Sequence, residues 1–170
     1  MIMVPPVVPY RGTRSLDAFG GGGYGAPRSK ACPACTPPTR AACQKCEGKG
    51  KLKYAHLGLD FISKPGDLCV FPIDGVVVRD GVAYDKPGCT LGSIHIEGTE
   101  GFRGYRVKLL YADLLDALNI GSLGHSGAPL AHAQDVAAYH RAVGKMTNHT
   151  HLEVWQDGKR LDPTPFFIKS

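Results

Sequence analysis

No stretch of this 170-residue sequence approaches the ~20 consecutive apolar residues that a membrane-spanning helix needs, so no membrane role is expected. No run of five or more Lys or Arg occurs, and the basic residues are not interleaved with aromatics, which argues against nucleic acid. The formal net charge of +5 is therefore a mildly basic, solvated surface, suited to an anionic polymer such as a cell wall. The first residues, MIMVPPVVPYRGTRS, have no basic segment ahead of their apolar ones, and their prolines break the helix that a signal peptide requires. The expectation is a protein without a signal peptide, virion-associated or cytoplasmic until release. No internal repeat is present.

What is abundant is turn chemistry. With 22 Gly and 13 Pro, the chain favours a turn-rich, mostly β architecture over a helical bundle. Its 43% hydrophobic and 21% charged residues fit one ordinary globular domain. Residues 1–31, with FGGGGYGAPR near their end, read as an extended N-terminal arm and Gly-rich loop. Residues 32–50 hold four of the six cysteines, and the main domain is expected over 51–170. There LGLDFIS, LCVFPIDGVVVRDGVAYD, GSIHIEG and YRVKLLYADL read as strands, with a hairpin turn expected at Asp80-Gly81. From His132 to Lys145 the spacing of Val136, Tyr139, His140 and Val143 predicts a short helical insertion. HTHLEVWQDGKRL reads as a strand, a turn at Gln156-Asp157-Gly158 and a short closing strand.

Two clusters carry chemistry. In YAHLGLDF, His56 and Asp60 lie four apart, on one face of a strand, and Gly58 between them permits a bend. In HTHLEVW, His149 and His151 lie two apart, again on one face. Imidazole and carboxylate both ligate zinc, and three protein ligands plus water is the catalytic zinc pattern. HxxxD or HxH alone is weak; their combination in this order, each followed by an apolar strand, is much more specific.

HLGLDF, the Gly/Pro-rich FPIDGVVV and the tail HTHLEVWQDGKRLDPTPFF together resemble the lysostaphin-type (LytM-like) zinc peptidoglycan endopeptidases. That family also includes a non-peptidase relative, leukocyte cell-derived chemotaxin. The resemblance covers about residues 15–30 and 54–168. It implies a small antiparallel β core, an open sandwich with a groove floored by zinc. It implies His56, Asp60 and His151 as zinc ligands. His149 would contact substrate or water, orienting the attacking water or stabilising the oxyanion. Active members carry a further histidine in a motif resembling YxHL; this chain has Leu110-Tyr111-Ala112-Asp113-Leu114, so Asp113 takes that catalytic position. An aspartate can accept a proton but cannot present a cation to an oxyanion. His125, His132 and His140 read as packing or surface residues that could instead compensate, and His95 is expected to face solvent.

The second cluster, Cys32, Cys35, Cys43 and Cys46, forms two CxxC knuckles, a strong signal for structural zinc. Disulfides and free thiols are the alternatives. Cys69 and Cys89 read either as buried thiols or as a pair.

The resulting expectation is a zinc metallopeptidase that hydrolyses a peptide bond in the peptidoglycan stem or cross-bridge. One catalytic and one structural Zn2+ are expected. A phage tail setting is expected too, with the N-terminal arm docking to virion tail proteins. The alternative is a catalytically impaired, zinc-binding structural or binding module on the same scaffold, with Asp113 as its signature. A nucleic-acid zinc ribbon is a third reading, opposed by the few basic residues near the knuckles.

Overall fold

Alternation along the strands sorts the side chains into a core face and a groove face. The structure, a computed structural model, describes residues 1–35 and 43–167. In chain order the strands are β1 (Val7–Val8), β2 (Pro27–Ala31), β3 (Lys51–Ala55), β4 (Leu59–Ile62), β5 (Leu68–Val70), β6 (Gly75–Val82) and β7 (Gly92–Gly98). They continue with β8 (Tyr105–Leu110), β9 (Ala112–Leu114), β10 (Leu123–Gly124), β11 (Pro129–Ala133), β12 (His149–Gln156) and β13 (Lys159–Leu161). The fold is mostly β and antiparallel. A seven-stranded sheet runs β10-β6-β7-β8-β12-β13, with β4 also paired to β12. A four-stranded sheet runs β1-β5-β11-β9, and β2 and β3 form a separate ribbon.

The core lies under one face of the large sheet. Ile94 and Ile96 of β7, Val107 and Leu109 of β8, and Leu152 and Val154 of β12 are all buried there, with Phe61, Phe71 and Leu130. Each such aliphatic side chain contributes about 1.5–3 kcal/mol on burial. Because strand side chains alternate, His149, His151, Glu153 and Trp155 of β12 occupy the opposite face. Asp60 of β4 stands directly across from His151 in the β4–β12 register.

Three expectations change here. The first residues are extended but not a free arm: Met3 and Val7 are core residues, β1 pairs with β5, and the Met3 amide donates to the Phe166 carbonyl. Asp80-Gly81 is not a turn. Strand β6 runs through it, with Asp80 opposite Ile94 and Gly81 opposite Ser93, so cross-strand pairing overrides a local turn signal. The insertion before β12 is helical only over α1 (Val136–Tyr139), capped by the Asp135 side chain accepting from the Ala138 amide. His132 belongs to β11, and Arg141 at φ 53° takes the chain out of helical geometry. Of the two readings left open for Cys69 and Cys89, the unpaired one holds: both are free, Cys69 buried and Cys89 partly so, and burial pushes the Cys69 thiol up to about 12. The expected turn at Gln156-Asp157-Gly158 is present between β12 and β13, with Asp157 and Gly158 both at positive φ. Part of the predicted knuckle, residues 36–42, lies outside the described residues. Among the described residues no helix is long and apolar enough to cross a membrane.

Candidate metal centre

His56 sits just after β3, Asp60 lies within β4 and His151 within β12. Their donor atoms converge: His56 Nε2 lies 3.0 Å from His151 Nδ1, His151 Nδ1 lies 2.8 Å from Asp60 Oδ1, and His56 Nε2 lies 3.2 Å from Asp60 Oδ1. Gly58 makes this approach possible. A Cβ there would fall 2.3 Å from the Leu152 carbonyl oxygen and 2.6 Å from His151 Nε2. The need for glycine is therefore close approach of the chain to β12 rather than a bend alone.

Outer partners decide which nitrogen carries the proton. His56 Nδ1 lies 2.9 Å from the Gly23 carbonyl oxygen, which can only accept, so Nδ1 is the protonated nitrogen. His151 Nε2 lies 3.1 Å from Glu153 Oε1 and donates to that carboxylate. His56 Nε2, His151 Nδ1 and Asp60 Oδ1 then present lone pairs to one another with no hydrogen between them. Such a cluster calls for a cation. Zn–N and Zn–O bonds of about 2.0–2.1 Å in a tetrahedron place ligand atoms roughly 3.3 Å apart, close to the spacing seen. The donor set, two imidazoles and one carboxylate with carbonyl and carboxylate partners behind them, fits zinc.

Asp60 is fixed from behind as well. Its Oδ2 accepts from Arg14 Nε at 3.0 Å and from the second Arg14 terminal nitrogen at 2.8 Å, and both side chains are almost wholly buried. Burial pushes the Asp60 carboxyl up, but the surrounding imidazoles of His151, His56 and His149 outweigh it and hold the group well below the usual carboxylate range, so Asp60 stands as a carboxylate. Arg28 of β2 reaches to 3.6 Å from the same oxygen. Sequence reading missed both arginines, because nothing local links positions 14 and 28 to position 60.

His149 lies beside this triad, with Nε2 3.6 Å from Asp60 Oδ2. Its Nδ1–H donates to the Thr147 carbonyl at 2.8 Å, which leaves Nε2 as an acceptor. Burial pushes its pKa down, toward the neutral imidazole. Tyr111 packs edge-on against it, ring centroids 5.6 Å apart. The Tyr111 hydroxyl pairs with that of Tyr84 at 2.8 Å, and Tyr84 lies 3.4 Å from His140 Nε2. Burial raises the Tyr111 hydroxyl well above its ordinary value.

The three donors, both arginines, His149, His140, Tyr84 and Tyr111 line one cavity of about 360 Å³. Asp113 does not line it. Tyr111 adopts φ 66°, a left-handed conformation rare for an aromatic, and this breaks the strand between β8 and β9. Asp113 therefore leaves the large sheet for the four-stranded one, opposite His132, where it is exposed and accepts from Gln134 Nε2 at 2.6 Å. Of the other histidines, His140 lines the cavity, while His125 stands exposed near Asp74 and His132 is exposed beside the Gly66 carbonyl. His95 is half-buried rather than free in solvent. It borders a second cavity of about 520 Å³ farther along the same sheet face, with Glu97, Arg106, Lys108 and Trp155. The four knuckle cysteines form a separate cluster at the far end of the β2–β3 ribbon.

The chain matches no protein-family model. No curated protein matches it. Solved structures do. Csd3 from Helicobacter pylori aligns over 100% of this chain at 18% identity and a TM-score of 0.57. The chain spans 36% of that protein's length. The catalytic domain of the antimicrobial peptidase lysostaphin from Staphylococcus simulans aligns over 86% of this chain and 90% of its own, at 17% identity and a TM-score of 0.53. A chain of the SpoIIQ–SpoIIIAH pore forming complex aligns over 98% of this chain and 90% of its own, at 13% identity and a TM-score of 0.58. The chain has the lysostaphin-type peptidase fold that its motifs resemble.

Proposed function

We propose that the chain is a zinc-dependent peptidoglycan endopeptidase that hydrolyses a peptide bond of the stem or cross-bridge. The observation that carries this reading is the set of three lone-pair donors, His56, Asp60 and His151, converging beside a neutral-poised His149. Zinc, when bound, supplies Lewis acidity toward the peptide carbonyl and lowers the pKa of water toward about 7.

The chain's own residues supply the rest. His149 Nε2 faces the cavity with its lone pair free, because the Thr147 carbonyl holds Nδ1–H; it accepts the proton of the attacking water. Arg28 lines the same cavity with a terminal nitrogen 3.6 Å from Asp60, and its guanidinium charge stabilises a carbonyl oxygen becoming negative there. The Tyr111–Tyr84 hydroxyl pair and His140 line the same cavity and exclude water from the reacting bond. A phage tail setting belongs to the same proposal, with tail proteins as partners.

Release of new amino groups from several purified peptidoglycan types by the zinc-loaded protein tests the reading. His149→Ala should lower that rate by about 10²–10⁴-fold, the usual size of a general-base contribution, with zinc content unchanged. No release from any wall type, with His149→Ala indistinguishable from the natural chain, sinks it. That outcome favours the binding-module reading, for which the alignment with the SpoIIQ–SpoIIIAH complex is the supporting observation.

A further inference from the structure

The β2–β3 ribbon pairs five residues with five, from Pro27 opposite Ala55 to Ala31 opposite Lys51, yet none of these residues is buried. A two-stranded ribbon with no apolar face against a core is marginal in water. At its base the pairing runs on into the histidine centre: the Gly25 amide donates to the His56 carbonyl at 2.9 Å, and the His56 amide to the Ala26 carbonyl at 2.8 Å. Its far end, among the described residues, is gathered by the four cysteines.

These are arranged as a metal knuckle. Cys32 follows β2 directly, and its amide donates to the Gly50 carbonyl at 3.0 Å, closing the ribbon. Glu47, Gly48 and Gly50 all take positive φ, which folds the chain tightly around the second CxxC. The Gly50 amide points at Cys46 Sγ at 3.2 Å, a donor suited to a thiolate. Cys32 and Cys43 sulfurs lie 3.8 Å apart and those of Cys35 and Cys46 3.2 Å apart, and all four donor atoms lie within 4.8 Å of one another. Four Zn–S bonds of about 2.3 Å in a tetrahedron set sulfurs roughly 3.8 Å apart. No pair is bonded as a disulfide.

The ribbon also does something for the groove. Its Arg28 and Tyr54 line the cavity over the histidine centre. The Arg28 side chain is nearly buried, approaches Asp60, and keeps one terminal nitrogen without a partner among the described residues. Gly20 leaves room for it, since a Cβ there would fall 2.3 Å from that nitrogen.

We propose that Cys32, Cys35, Cys43 and Cys46 bind one soft divalent ion, zinc above all, and that this ion holds the β2–β3 ribbon in place as the wall that delivers Arg28 into the groove. The second half rests on the peptidase reading; the first does not. Four thiolates select zinc and exclude magnesium or calcium. The ion there has no open position and performs no chemistry.

The test uses the full chain, reduced and loaded with Co2+. The natural chain should bind two ions and show an intense thiolate-to-cobalt charge-transfer band. Cys35→Ser with Cys46→Ser should keep one ion and lose the band. If the reduced natural chain shows no band, the site is wrong. Should the double variant misfold, blocking the thiols of the zinc-loaded natural chain with a mercurial should release one zinc; release of none also overturns the site. Hydrogen exchange reads the second half. Without the cysteine ion, the paired amides of β2 and β3 should exchange at least about tenfold faster while those of β8 and β12 stay protected. Unchanged exchange in the ribbon overturns its role as a held wall. In turnover, the double variant should lower kcat more than it raises KM, and Arg28→Ala should show the same split; a rise in KM alone overturns the link to Arg28. A chain with the band and the exchange change but no hydrolysis leaves the metal site standing and defeats the peptidase reading instead.

Discussion

The groove face of the large sheet and the β2–β3 ribbon each end in a candidate metal site, and they are held in different ways. His151 and Asp60 sit on strands whose other faces bury Leu152, Val154, Leu59 and Phe61. Arg14, Glu153 and the carbonyls of Gly23 and Thr147 then fix the side chains from behind. The ribbon has no core beneath it and depends on its two ends. The difference teaches where each site's organisation comes from. The histidine centre is preorganised by packing and hydrogen bonds, so metal adds affinity to a formed site. The cysteine cluster organises its own segment only by gripping an ion, as small metal-stapled units do.

Substitutions that sharpen this contrast fall in order of size. Arg14→Met strips the buried partner from Asp60 and should cost about 3–5 kcal/mol in urea denaturation, because an unpaired buried carboxylate is left behind. A loss below about 1 kcal/mol would show that the histidines and Arg28 suffice to hold Asp60, and that the preorganisation is weaker than its geometry. Gly58→Ala forces a Cβ against the Leu152 carbonyl and His151. It should cost about 1–3 kcal/mol and reduce metal binding at the histidine centre alone, leaving the cobalt–thiolate band intact. Loss of both sites together would mean that they are coupled rather than separate.

The sheet face also carries a pH signature. Burial, with Lys108, Arg79 and Arg106 nearby and Glu153 opposing them, lowers the His95 pKa from 6.5 to about 4. A histidine depressed in the folded state binds its proton more readily when unfolded. Stability is therefore complete above pH 6.5 and falls as pH drops toward 4. His95→Gln should flatten that decline in pH-dependent denaturation; an unchanged slope would assign it to other groups. The smallest effect is expected at Asp113. Its carboxylate serves Gln134 outside the cavity, so Asp113→Asn should leave the amino-group release rate within about threefold. A large loss would return Asp113 to the catalytic role that its position in the motif implies.

Much of the centre was legible in the sequence. HTHLEVWQ alternates in a way that puts His149, His151 and Glu153 on one face, and HLGLD puts a carboxylate and an imidazole within reach of it. The short helix was legible only in part, since helical spacing over 132–145 says nothing of where tertiary contacts end it at Tyr139. The Asp80-Gly81 turn failed because a strand paired along its length ignores a two-residue preference.

The sequence by itself determined the donor chemistry, which side chains can hold zinc and which pairs of cysteines can grip an ion, and it marked the most apolar runs as strands. Local residue type and period are sufficient for that. The tertiary structure alone decided that Asp60 faces His151 across two strands, that Arg14 and Arg28 converge on it, and that Asp113 is carried out of the groove. Register between strands far apart in the chain, and one left-handed tyrosine at the end of β8, set those outcomes. Both depend on how the whole core packs, which no short window of sequence contains.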